Sequence, residues 1–279
     1  MKLIKQITWS ILFASCFVVF MACSDDNKDV EEVITNPSIV FTGGQPKSVL
    51  GMSMTYTNGL LTQIGDDGKN ITFTYGLKTR SSTITKADST NLKMTVEYDD
   101  DPNDIRYFDL IIGSNGFIEK CTETYKDNPD VDTWEFGYNA DGQLNYMKRS
   151  EGGNEVTTIT YENGNITTVS TVSMISEEDN DKLNTRVYYT SDAIKTAIEN
   201  KGCLMLFDIT FGVDMDEMKY AYWAGLLGKA TKHLPLKLIS IENSLGEDTE
   251  TFDWNLTNGY PSKMIETASW GSEEYSFTW

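Results

Sequence analysis

Five times the chain repeats one short arrangement. Asn-Gly or Asp-Gly is followed two places later by an apolar residue or Pro, and five places after the Gly by another apolar residue. The copies are Asn58-Gly59 with Leu61 and Ile64, Asn115-Gly116 with Ile118 and Cys121, Asp141-Gly142 with Leu144 and Met147, Asn163-Gly164 with Ile166 and Val169, and Asn258-Gly259 with Pro261 and Met264. Asn-Gly and Asp-Gly tolerate the positive φ angles of a type I′ turn, whose twist matches the strands on either side. One such dipeptide says little. Five in the same frame predict a stack of β-hairpins. The strands show as alternation, in Ile71-Thr72-Phe73-Thr74-Tyr75, Thr157-Thr158-Ile159-Thr160-Tyr161 and Tyr275-Ser276-Phe277-Thr278-Trp279. Polar residues on the alternate positions leave one face of the sheet to water. The two apolar positions after each Gly are three apart, so a regular strand would send them to opposite faces. Either a bulge intervenes or both faces are partly covered.

At 279 residues the chain can bury a large core without disulfides or metals. Its formal charge of −19 argues against nucleic acid, which needs clustered Lys and Arg, and against docking on an anionic lipid surface. The first residues are an address. Lys2 and Lys5 precede an uncharged, mostly apolar run from Ile7 to Ala22, too short for a membrane span and right for a secretory signal. Phe20-Met21-Ala22-Cys23 resembles a bacterial lipobox, in which the Cys is lipidated and becomes the new N-terminus. Phe13-Ala14-Ser15-Cys16 competes, but cleavage there would leave Phe17–Met21, an apolar stretch, at the front. The division expected is a signal over 1–22, a lipidated Cys23 with an acidic tether over 23–37, and one β-rich domain over 38–279. The tether opens Ser24-Asp25-Asp26, acidic residues that resemble the signal sending Bacteroidetes lipoproteins to the outer cell face. The same segment serves as a solvated spacer.

Cys121 and Cys203 then remain, and spacing does not decide whether they pair. His233, the one histidine, follows a helical stretch, where it complements the helix dipole. The chain has no H-E-x-x-H, G-x-S-x-G, P-loop or G-x-G-x-x-G motif. The acidic runs Asp99–Asp104 and Glu177–Asp181 lack calcium-loop spacing and read as solvated turns, so neither a metal nor a cofactor is expected. One α-helix is expected over about 214–230, with Asp214 as N-cap and Glu217 at N3. Its body, Met218–Leu227, is apolar nearly all round, which places it inside a curled sheet together with the preceding Gly202–Phe207. The fold class expected is mainly β: a curled antiparallel meander or barrel-like sheet of hairpin repeats around that helix.

These features together resemble a known family. The lipobox, the acidic tether, the Asn-Gly hairpins, Leu206-Phe207-Asp208 and Tyr220-Ala221-Tyr222-Trp223-Ala224-Gly225-Leu226-Leu227-Gly228-Lys229-Ala230 are similar to a group of Bacteroidetes lipoproteins, a domain of unknown function with a porin-like curled antiparallel sheet. The hairpins also resemble tyrosine-aspartate repeat proteins. The resemblance implies a fold and a location over roughly 38–279 and no catalytic residues. The functional expectation is a non-enzymatic lipoprotein of the outer membrane, at the cell surface rather than the periplasmic face. It would bind a glycan or a protein, with Trp134, Trp254, Trp270 and Trp279 as candidates for stacking on sugar rings. A periplasmic carrier of apolar cargo is the alternative, with a two-carboxylate glycan hydrolase behind it.

Overall fold

The computed structural model describes residues 33–66, 68–76, 84–85, 92–173, 182–242 and 246–279. The predicted lipidation site Cys23, the predicted export residues Ser24, Asp25 and Asp26, and the acidic run 177–181 lie outside the described residues. Eighteen strands are present among the described residues. Two of them, β1 (Val33–Thr35) and β6 (Ile84–Thr85), pair with each other alone; β1 falls within the segment read as tether. The other sixteen form one antiparallel sheet that closes on itself. They are β2 (Ser48–Val49), β3 (Met52–Thr57), β4 (Leu60–Asp66), β5 (Lys69–Tyr75), β7 (Leu92–Tyr98), β8 (Ile105–Ile112), β9 (Ile118–Tyr125) and β10 (Val131–Tyr138). The circuit continues through β11 (Leu144–Arg149), β12 (Glu155–Glu162), β13 (Asn165–Val172), β14 (Lys182–Tyr188), β15 (Lys237–Glu242), β16 (Gly246–Thr257), β17 (Tyr260–Ala268) and β18 (Gly271–Thr278). Pairing of β18 with β2 completes it, so the barrel has no open edge.

All five repeated turns sit at one end of the barrel. Three have positive φ at both central residues, Asn58-Gly59, Asn163-Gly164 and Asn258-Gly259. At Asn115-Gly116 and Asp141-Gly142 only the Gly is left-handed, and a wider turn closes on Gly113 and Asn139 instead. Each of the five hairpins has a register shift just before its turn, at Thr55/Tyr56, Ile111/Ile112, Gly137/Tyr138, Thr160/Tyr161 and Asn255/Leu256. The bulge answers the spacing problem in the sequence, because it brings both Leu61 and Ile64, and both Ile166 and Val169, to the inner face. It also fixes an aromatic clip. Tyr75, Tyr138 and Tyr161 donate their hydroxyls to the carbonyls of Leu61, Ile118 and Leu144, each the second residue after a turn Gly. Trp279 does the same to Pro261 with its indole N–H.

The wall is apolar inside and polar outside. Met52, Met54, Leu92, Met94, Val96, Phe108, Leu110 and Phe136 are buried, while Ser53, Thr55, Lys93, Glu97, Asp109 and Glu135 between them are exposed. A barrel that spans a membrane has the reverse pattern. The interior is filled by the segment 189–236, inserted between β14 and β15. It enters at the turn end, reaches the opposite end and returns. Beside α1 (Pro37–Val40) and α2 (Glu151–Asn154), the helices are α3 (Phe207–Phe211) and α4 (Lys219–Trp223) within this plug. Met205, Leu206, Phe207, Phe211, Tyr222, Trp223 and Leu226 are all nearly inaccessible, at roughly 1.5–3 kcal/mol for each such large side chain buried.

The plug is buried where the sequence placed it, but its helix is much shorter than 214–230. One 3-10 turn (Asp216–Met218) leads into α4, and the chain then turns at Gly225 and Gly228, both with positive φ. Asp214 and Glu217 do not cap a helix. The residue before the 3-10 turn is Met215, with no side-chain cap bond. Both acids are drawn to cations on the wall.

Candidate functional site

At the end opposite the turns, charged side chains from the strand ends converge on the tip of the plug. Arg149, at the end of β11, is almost fully buried and holds Glu155, Asp214 and Asp216, with Nε–Oε2 at 2.7 Å to Glu155 and Nη2–Oδ2 at 2.8 Å to Asp214. Burial alone would lower its pKa; Asp214 and Glu155 outweigh that and raise it. Asp214 Oδ1 also accepts the N–H of Asp216 at 3.1 Å, an Asx turn that replaces the expected cap. Glu217 is buried between three wall residues. It accepts from Lys69 Nζ at 3.1 Å, Arg106 Nη1 at 3.0 Å and the Tyr98 hydroxyl. Burial pushes its pKa up, but these partners more than cancel that and hold it below the usual carboxylate range.

Beside this lock stands Glu123, 1% exposed. Its Oε2 accepts the indole N–H of Trp134 at 3.1 Å, while its Oε1 has no hydrogen-bond partner among the described residues and lies 3.7 Å from Arg106. Burial pushes its pKa up to about 7, opposed by the Trp134 bond and by Arg106. Glu250 on β16 and Glu266 on β17 form a carboxyl pair, hydrogen-bonded to each other, with the Tyr275 hydroxyl donating to Glu266 Oε2 at 2.9 Å. Burial first and Glu266 second raise Glu250 to about 7. Carboxyls in direct contact share a proton. A glycosidase instead needs them about 5 Å or more apart, with room for the sugar bond between.

Next to the lock a cleft of about 330 Å³ opens between the plug and the wall of β3–β5. Met52, Met205, Leu206 and Phe207 contribute apolar surface, and Trp223 lies at its inner side. Its polar groups are Asp66, Lys69, Asp208, Lys219 and Tyr220. Lys219 pairs with Asp208, whose other oxygen accepts the Met215 N–H at 3.4 Å. The Tyr220 hydroxyl points at Asp66 Oδ2, 3.5 Å away. An apolar body with a few convergent polar groups is the usual make-up of a small-molecule site, and the volume is at the lower end of the common range of about 300–1,000 Å³. Sequence reasoning missed this cleft. Its lining comes from residues 50–69 and 205–223, which no local pattern connects.

Three of the four predicted stacking residues, Trp134, Trp254 and Trp270, do not form a platform, while the fourth, Trp279, packs against Tyr260 at the turn end. Trp134 is 1% exposed and stacks on Phe136 inside the barrel. Trp254 is half-buried, stacks on Phe277 and donates to the Pro235 carbonyl. Trp270 alone is open, in the turn between β17 and β18 at the opposite end. Alternation put Trp134 and Trp254 on the inner face, and inner faces of a closed sheet meet the plug. Cys121 and Cys203 are both free thiols. His233 is tied to Asn165 through Nδ1 and its backbone N–H, at the turn end, with burial lowering its pKa. Among the described residues no group of three His, Cys, Asp or Glu could hold a metal ion.

The family described as a domain of unknown function (DUF4595) with porin-like fold matches residues 63–263, and the chain belongs to that family. Two solved structures share the fold. A porin-like protein from Bacteroides uniformis is 15% identical, with a TM-score of 0.53, over 81% of this chain and 88% of its own. A porin-like protein from Bacteroides vulgatus is 14% identical, with a TM-score of 0.56, over 81% of this chain and 91% of its own. At such identities the likeness establishes the fold alone. No curated protein matches the sequence.

Proposed function

We propose that this protein is a non-enzymatic, lipid-anchored binding module of the outer membrane, displayed at the cell surface, with the plug–wall cleft as its ligand site. The observation that carries the reading is the inverted, plugged barrel. A wall that is polar outside has no band with which to cross lipid, and an interior filled by the plug has no lumen to conduct through. Attachment then falls to Cys23 and its acyl chains, and outward export to Ser24, Asp25 and Asp26. What the fold offers a partner is the seam between plug and wall. The filled interior also counts against a carrier with bulk apolar cargo, and the direct contact of Glu250 with Glu266 counts against a two-carboxylate hydrolase.

The ligand class that fits the cleft is a small amphiphile, its apolar part against Met52, Leu206 and Phe207 and its polar head near Lys219 and Asp208. Anilinonaphthalene sulfonate, a small anionic amphiphile, is a direct probe. The native protein should bind it saturably at one site, and Met52→Trp, which fills the cleft, should abolish that binding with the fold intact by circular dichroism. Absence of saturable binding, or equal binding by the variant, sinks the ligand reading. Location is tested separately by protease treatment of intact cells. Cleavage before lysis supports surface display, and protection until lysis rejects it. A Cys23→Ala chain should leave the membrane fraction.

A further inference from the structure

The turn end carries a second depression of about 530 Å³, between the N-terminal strap at Gly43–Gln45 and the β17–β18 edge. Its make-up contrasts with the cleft. Tyr260 and Trp279 contribute rings, Gln45 and Asn258 amides, and Thr257 and Ser262 hydroxyls. No charged side chain lines it, in a chain with 42 acidic and 23 basic residues. Two cations border the groove and both are engaged: Lys201, with Nζ 4.3 Å above the Tyr260 ring and 3.0 Å from the Asn258 carbonyl, and Lys47, whose Nζ donates to the Trp279 backbone oxygen at 2.8 Å. The two rings are fixed. Their centroids are 5.3 Å apart, Trp279 is clipped to Pro261, and the Tyr260 hydroxyl donates to the Gly43 carbonyl. The strap comes this close because Gly43 has no side chain; a Cβ there would overlap the Lys201 carbonyl oxygen. Gln45 lines the groove, and its Nε2, itself buried, has no hydrogen-bond partner among the described residues.

From this composition we propose that the groove binds a neutral saccharide. A sugar presents apolar C–H faces that pack on aromatic rings, and hydroxyls that both donate and accept. Amides and hydroxyls match such hydroxyls without charge. An anionic ligand would meet no charged side chain in the lining, since Lys201 and Lys47 stand outside it and already have partners. The inference is independent of the plug–wall cleft, which lies at the other end of the barrel and is lined by ions.

The test is calorimetric titration of the full chain with short neutral gluco- and manno-oligosaccharides, and with an oligogalacturonate of the same length. At least one neutral sugar should bind at millimolar or lower concentration and shift the Trp279 indole resonance, with the oligogalacturonate silent. Ser262→Trp, which fills the groove from a half-exposed position, should weaken binding about tenfold or more, and Gln45→Leu a few-fold. Met52→Trp should bind the sugar normally, which separates this site from the cleft. The proposal is overturned if no neutral sugar binds, if the acidic one binds better, or if folded Ser262→Trp binds unchanged.

Discussion

The wall alternates apolar and polar residues while the plug is apolar nearly all round, and different forces hold them. Each hairpin of the wall is specified by a handful of adjacent residues: a turn pair that accepts positive φ, a bulge, an aromatic clip and two inward apolar side chains. The plug has little local structure of its own. Its longest helices are five residues, and beside its own turns it is tied to the wall by backbone bonds that Lys229 donates to Gly142, Lys232 to Gly164, and Ile118 of the wall to Leu226. Its far tip is fixed by Arg149, Arg106 and Lys69, all distant in sequence. Repetition can therefore encode a wall, while a plug needs the finished wall to take shape.

That difference sets an order for experiments. Arg149→Met should have the largest effect, about 3 kcal/mol by urea denaturation, because it leaves Asp214, Asp216 and Glu155 facing one another. The exposure of Asp214 keeps the loss near the low end for a broken buried ion pair. Equal stability would mean the lock is ornamental. Gly228→Ala comes next, at about 2 kcal/mol, since φ is +86° and the new Cβ would stand 2.9 Å from the Gly142 carbonyl. Gly164→Ala, in a wall turn at φ +80° with only an ordinary contact to Lys232, should lose about 1 kcal/mol. If the wall change proves the costlier of the two, the division drawn between wall and plug fails.

The smallest effect is with pH. Glu123 and Glu250 both have folded pKa values of about 7, above the ordinary carboxylate value. The folded chain therefore keeps protons that the unfolded chain releases, and stability falls as pH rises from about 4.5 to 7. The melting temperature should be higher near pH 5 than near pH 7.5, by an amount on the order of 1 kcal/mol in stability, since Glu250 is partly open to solvent. The double change Glu123→Gln and Glu250→Gln should flatten that slope. Glu217, held below the usual range, works the opposite way and loses its contribution only at lower pH.

Much of the wall was legible in advance, because turn chemistry and alternation are local. The burial of Met218–Leu227 was legible too, from its lack of a polar face. The helix length was not. Asp214 and Glu217 have capping spacing, but a buried Arg149 and the Lys69–Tyr98–Arg106 group outbid the backbone amides for those carboxylates. Trp134 and Trp254 were misplaced for a related reason: alternation says which face a side chain takes, but not what stands opposite that face.

By itself, the sequence determined the hairpins, their turns, the alternation of their strands and the interior place of segment 202–227, since each rests on neighbours along the chain. The tertiary structure alone decided that the sheet closes, that the acids of 214–217 serve ion pairs instead of a cap, and that one charged cleft and one uncharged groove lie at opposite ends. Closure brings strand ends far apart in sequence to the same rim, and no local pattern records which charges or rings will meet there.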